Sequence, residues 1–181
     1  MKLFVFSDIH GSRTALEAAF AAFDRERADA AAVLGDYLNH GPRNPIPEGY
    51  DPPRTAELLN ARRELLLPIR GNCDSEVDQM MLDFPMLAEY STVFLGARRV
   101  FMTHGHVLGP DRLPPLPAGS LFLCGHSHVP MAETRGGIAV MNPGSITLPK
   151  GGAPRTYGIV EEGRVEIKTM EGSPFASLDL P

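Results

Sequence analysis

The sequence predicts an α/β fold, on three observations. An apolar run, a helical repeat and a second apolar run open the chain in β-α-β order, which favours parallel strands. The second half consists of short apolar runs separated by turns and reads as mostly β. Each polar cluster falls directly after an apolar run, at Asp8 and His10, Asp36, Asn72, His104 and His106, and His126 and His128. Strand ends on one edge of a sheet are where open α/β folds collect ligands, so five such clusters point to one site.

The elements follow in order. Residues 3–7 make a buried strand that ends at Asp8-Ile9-His10-Gly11-Ser12. Residues 13–27 place Leu16, Ala19, Phe20 and Phe23 on one helical face, with Ser12 as N-cap. Residues 30–34 form the second strand and close on Gly35-Asp36. The prolines and glycines of residues 40–53 rule out a regular element there. Residues 54–65 read as a helix, and residues 66–69 lead into the turn Arg70-Gly71-Asn72-Cys73-Asp74. Strands follow at 92–95, 98–102, 121–124, 138–141, 156–160 and 164–169, with a Pro-rich connection over 110–119.

The 181 residues predict one domain, 1–181, able to bury roughly 70% of its unfolded surface without disulfides. A net charge of −5 argues against broad nucleic-acid binding, although a local cationic site for a small phosphorylated substrate remains compatible with it. No apolar run reaches the roughly 18–20 residues that a membrane span needs, so no membrane association is expected. The N-terminal apolar segment is too short for a secretory signal, and Cys73 and Cys124 are too few for a disulfide framework. A cytoplasmic location is the expectation.

Each cluster is weak alone. Asp-x-His puts two ligand types on one side of an extended segment, Gly-Asp commonly caps turns, and Gly-Asn commonly supplies a left-handed turn residue. Four of the six histidines, however, fall between positions 104 and 128. Carboxylate, amide and imidazole donors at successive strand ends suit Mn²⁺, Zn²⁺, Fe or Ni²⁺ better than a thiolate site would.

The series Asp8-x-His10, Gly35-Asp36, Gly71-Asn72, His104-Gly105-His106 and Gly125-His126-Ser127-His128 resembles the calcineurin-like metallophosphoesterase superfamily. The stretches 35–44 and 71–80, together with Asn142-Pro143-Gly144-Ser145, resemble the small bacterial YfcE-type phosphodiesterases over essentially the whole chain. This resemblance implies a four-layer αββα sandwich of two mixed sheets flanked by helices. It implies two divalent ions, Mn²⁺ foremost, with Zn²⁺, Ni²⁺ or Fe as alternatives. Asp8, His10, Asp36 and His128 would hold one ion; Asp36, Asn72, His104 and His126 would hold the other. Attack of a metal-bridging hydroxide on a small phosphodiester is the implied reaction. Two such ions and two carboxylates would leave the site cationic inside an acidic protein.

The chain departs from the family at Cys73, where many members carry a histidine taken to assist the leaving group; Cys73 is a catalytic candidate by its position, although a thiol is a poorer general acid, and a small packing residue is the alternative. His40 stands where related phosphatases carry a phosphate-contacting arginine, which makes it a candidate for catalysis and substrate contact. Asn39 and Arg43 are candidates for substrate contact, Asn39 while anchoring the same loop and Arg43 while lining the mouth of the site, and His106 is expected to orient His104. A phosphomonoesterase or nucleotide hydrolase is the enzymatic alternative. A non-catalytic interaction module like the retromer coat subunit is the other alternative, and the complete ligand set argues for the enzyme. The expected partner is a small phosphate ester, with homo-oligomerisation also open.

Overall fold

The computed structural model describes residues 1–180. In chain order these form β1 (Leu3–Phe6), α1 (Arg13–Glu26), β2 (Ala30–Val33), α2 (Pro52–Ala61), β3 (Leu66–Pro68), the short α3 (Glu76–Gln79), β4 (Tyr90–Leu95) and β5 (Arg98–Thr103). Six strands complete the order: β6 (Leu121–Leu123), β7 (Met131–Arg135), β8 (Ile138–Asn142), β9 (Thr156–Glu161), β10 (Arg164–Thr169) and β11 (Pro174–Asp179). Two mixed sheets result, ordered β11-β10-β9-β1-β2-β3 and β4-β5-β6-β8-β7. These are the two mixed sheets that the resemblance implies, but among the described residues helices pack on the first sheet only, which corrects the expectation of a helical layer on both sides. Strands β1, β2 and β3 run parallel in the first sheet, and β5, β6 and β8 run parallel in the second.

The two-residue period of each strand sorts its side chains between layers. In β1, Phe4 and Phe6 join Leu16, Ala19, Phe20 and Phe23 of α1 under the helical layer. Leu3 and Val5 turn the other way and meet Met102, Leu121, Leu123 and Met141 of the second sheet. Gly158 of β9 marks how closely the two sheets approach: a Cβ there would sit 2.6 Å from Met141 Cε. The outer face of the second sheet, with Phe101, Phe122 and Val140, is packed by Leu108, Leu113 and Leu116. A Pro-rich, non-helical segment therefore covers that face.

Helix α1 starts as its sequence predicts, with Ser12 Oγ accepting the Ala15 N–H at 3.2 Å. Helix α2 corrects the reading of residues 52–53 as loop. Pro52 and Pro53 occupy its first positions, where a helix needs no N–H donor, and Asp51 Oδ1 caps it through the Arg54 N–H at 3.2 Å. The helix read over 54–65 ends at Ala61, and Arg63–Leu65 form a tighter 3₁₀ turn. Strands β7 and β11 and helix α3 have no counterpart in the sequence reading. Both strands lie at sheet edges, are only partly buried and carry mixed polar and apolar residues, so they lack an apolar run. No helix is long and apolar enough to cross a membrane among the described residues.

Candidate metal centre

The site is assembled from turns that leave the strands at their C-terminal ends. Asp8 and His10 follow β1, Asp36 follows β2 and Asn72 follows β3; His104 follows β5, and His126 and His128 follow β6. Backbone hydrogen bonds lash these turns together: Asp8 N–H to Gly35 O at 3.1 Å, His10 N–H to Asp36 O at 2.9 Å and Gly125 N–H to His104 O at 2.7 Å. Among the described non-glycine residues, six have positive φ, and five of them are Asp8, His10, Asp36, His126 and His128. Left-handed backbone is unfavourable for such residues and persists where the surrounding structure enforces it, which is characteristic of functional sites.

Three of the histidines are aimed by the same device. His10 Nδ1 lies 2.9 Å from Asn39 O, His104 Nδ1 2.6 Å from Leu34 O, and His128 Nδ1 2.5 Å from Leu148 O. A carbonyl oxygen can only accept, so each Nδ1 carries its proton and donates it. In its neutral form, the one that binds a metal, each ring presents an Nε2 lone pair to the centre. His10 Nε2 and His128 Nε2 lie 3.3 Å apart. Asp8 Oδ1 lies 3.2 Å from His128 Nε2 and 3.8 Å from His10 Nε2, and it is buried without a hydrogen-bond donor. Converging donor atoms around this carboxylate oxygen could hold a cation, and the donor set fits a divalent metal.

Asp36 faces both halves of the site. Its Oδ2 is 3.6 Å from His10 Nε2 and 3.5 Å from His104 Nε2, whereas Oδ1 accepts the Cys73 N–H at 2.8 Å. His104 Nε2 also lies 3.0 Å from Asn72 Oδ1. Donor atoms of Asp8, His10 and His128 form one compact group, and those of Asp8, Asp36 and His104 form another. The metal-free electrostatics agree with a cation site. Burial opposes ionisation of Asp36, yet the His104 ring and the Cys73 N–H together hold it well below the ordinary carboxylate range. Burial likewise opposes charge on His104, but Asp36 and Asp8 raise it to about 9.

The remaining predicted residues are placed as follows. His126 donates its backbone N–H to Asp8 Oδ2 at 3.3 Å, and its ring centroid is 5.1 Å from that of His104. The exposed His106 ring stands 5.4 Å from His104. A cleft of about 870 Å³ opens over the centre, and Asn39, Arg43 and Cys73 line it. Asn39 Oδ1 accepts the Gly41 N–H at 2.8 Å, which fixes the loop. His40 is not brought into the cleft lining: its ring packs edge-on against Tyr50 at 5.3 Å, with Nδ1 3.4 Å from Tyr50 Oη. Burial, reinforced by the Asp36 charge, raises the Cys73 thiol to about 12.

Sequence reasoning assigned no role to Asp74, Gly71 or Lys150. Asp74 accepts backbone N–H groups from Asp36, Tyr37 and Gly71 and so joins two ligand turns. A Cβ on Gly71 would collide with the Asp36 carboxylate. The turn that begins at Asn142 does lie under the site: Ser145 Oγ donates to Asp8 O at 3.0 Å, and Thr147 Oγ1 donates to Ile9 O at 2.9 Å. For Asp74, the only signal was that it is the one acid in the turn that carries Asn72.

Residues 1–164 match the profile of the calcineurin-like phosphoesterase superfamily domain. The chain belongs to this superfamily. Within it, the chain is 50% identical to phosphodiesterase YfcE of Escherichia coli K12 over 167 residues, covering 92% of this chain and 91% of that protein. The solved structure of Yfce, a phosphoesterase from E. coli, superposes with a TM-score of 0.97 at 44% identity and full coverage of both chains. Vacuolar protein sorting 29 from Cryptosporidium parvum superposes with a TM-score of 0.65 at 16% identity, covering 99% of this chain and 97% of that one, and so shares the fold. By its close similarity to YfcE the chain is a metal-dependent phosphoesterase of the phosphodiesterase type, with a buried His/Asp cluster to match.

Proposed function

We propose that this protein hydrolyses a small phosphodiester by attack of water on phosphorus at a two-metal centre. The observation that carries the reading is the orphaned Asp8 Oδ1 facing the Nε2 atoms of His10 and His128. Asp8, His10, Asp36 and His128 would hold one ion, and Asp36, Asn72, His104 and His126 the other. Mn²⁺ is the first choice, and this even mixture of oxygen and imidazole donors also suits Zn²⁺, Ni²⁺ or Fe. Bound there, the ions supply Lewis-acid activation of water and of the phosphoryl oxygens. The residues of the chain do the rest. Carbonyl-anchored imidazoles keep the donors in place, Asp36 serves both halves, and Asn39 and Arg43 line the cleft where the ester would lie. His40, packed on Tyr50, is left as a loop-stabilising residue.

Two free cysteines, one half-buried and one buried, accord with a reducing cytoplasmic setting. The 50% identity to phosphodiesterase YfcE, against 16% to vacuolar protein sorting 29, favours the enzyme over an interaction module. The test is to strip the protein with a chelator and measure bound metal. Hydrolysis of bis(p-nitrophenyl) phosphate is then followed before and after addition of Mn²⁺, Zn²⁺ or Ni²⁺. The expected result is loss of activity on stripping and restoration near two ions per chain. Full activity in the stripped protein would overturn the mechanism.

A further inference from the structure

The centre of the cleft is accounted for by the metal-site residues, but its rim is not. Two cations from separate loops, Arg43 and Lys150, line the cleft beside Asn39, Asn44 and Ser127. Among the described residues neither cation has a carboxylate partner, whereas the neighbouring Arg155 is paired with Glu48 at 3.3 Å. The one acid in the lining is Asp36, which is buried and turned to the centre. A protein of net charge −5 thus keeps two uncompensated cations at the mouth of its site.

Both cations stand on fixed backbone. Lys150 donates its N–H to His128 O at 3.1 Å, and its own carbonyl accepts the Ala153 N–H at 3.2 Å. Two residues earlier, Leu148 O receives the His128 ring proton, so the loop that carries Lys150 also orients a metal-site histidine. On the other loop, Asn44 Nδ2 donates to His40 O at 2.9 Å, and the Asn44 N–H donates to Gly41 O at 3.1 Å across Arg43. The positions are held while the long side chains stay solvated and unspent.

We propose that Lys150 and Arg43 form an outer anion subsite that selects phosphodiesters bearing a second phosphate on one ester arm. This rests on the phosphodiesterase reading and names the substrate class within it. The scissile phosphate of a diester carries a single negative charge, which divalent ions held by the site would neutralise. Cations further out therefore gain most from a second charged group at the far end of the substrate. Because both side chains are solvated, the preference should be modest and salt-sensitive.

The test uses a matched pair, thymidine 5′-(p-nitrophenyl phosphate) with and without a 3′-phosphate, on the Mn²⁺-loaded protein. The ratio of their kcat/KM values, and separately of their binding affinities by calorimetry, is the readout, because general damage to a variant cancels in a ratio. The native protein should favour the 3′-phosphorylated member by about tenfold at low salt, and the preference should shrink as ionic strength rises. Lys150→Gln and Arg43→Gln should each cut that ratio about threefold. Arg112→Gln, which removes an exposed charge outside the cleft, should leave the ratio unchanged and controls for net charge. Equal binding of the two compounds by the native protein, or an equal loss of preference in all three variants, would overturn the subsite. Hydrolysis of neither compound, with the binding preference intact, would overturn the phosphodiesterase reading and leave the subsite standing.

Discussion

Asp74 Oδ2 accepts the backbone N–H of Asp36 at 2.8 Å and that of Gly71 at 2.6 Å, so one buried carboxylate holds together the two turns that carry Asp36 and Asn72. Its Oδ1 accepts the Tyr37 N–H at 2.8 Å, which leaves every short contact of this side chain on a backbone donor. Asp74→Asn replaces one accepting oxygen with an amide that can only donate, set against an N–H. The expected outcome is a stability loss of about 1–3 kcal/mol and a fall in metal affinity of about 10–100-fold. Thermal unfolding of the metal-free protein and titration with Mn²⁺ measure the two effects separately.

Gly71→Ala tests the same junction by volume. The added methyl would land on the Asp36 carboxylate, with Asp36 Cγ only 2.9 Å away, so Asp36 has to move. A cost of about 1–3 kcal/mol in stability is expected from overpacking. Metal content at limiting Mn²⁺ should fall well below that of the native protein. Unchanged metal content would show that the carboxylate relocates without loss.

Cys73 lines the cleft as a neutral thiol and His40 is turned away on Tyr50, so neither supplies an imidazolium to a departing alkoxide. Rates should therefore depend steeply on leaving-group acidity, with aryl esters cleaved far faster than alkyl esters. A series of substituted phenyl phosphodiesters gives the slope. A flat plot with chemistry rate-limiting would contradict the assignment.

Glu26, at the end of α1, accepts from Tyr157 Oη at 2.7 Å and from Lys168 Nζ at 3.0 Å, tying the helix to β9 and β10. Burial works against its charge, but these two partners outweigh burial and hold its pKa below the ordinary value. A depressed carboxylate pKa adds stability above the ordinary value of 4.5, and that stability is lost as pH falls through the folded-state value. Glu26→Gln should lower stability by about 1–3 kcal/mol at pH 7. The gap should close as the pH falls through that depressed value. Denaturant melts across that range check both statements.

The parts of the molecule that sequence reading reached are those where period and chemistry coincide. Strands β1, β2 and β6 are apolar runs that end in ligand-type residues, so their boundaries and the site announce each other. Strands β7 and β11 escaped because an edge strand half in solvent tolerates Glu, Thr, Arg and Ser. Pro52 and Pro53 read as a break, yet prolines at a helix start serve it. Asp74 was hidden for another reason: its work is to accept backbone N–H groups, which leaves no spacing pattern in the side chains. The orientation of His40 was decided by Tyr50, ten residues away, and residue type alone says nothing of that contact.

The left-handed backbone at Asp8, His10, Asp36, His126 and His128 has an evolutionary consequence. At each of these positions glycine would relieve the backbone at the expense of the donor. Selection for a durable fold and selection for turnover thus pull in opposite directions at the same five codons. A lineage released from catalysis would drift toward glycine there and keep its sandwich, gaining robustness as it lost chemistry.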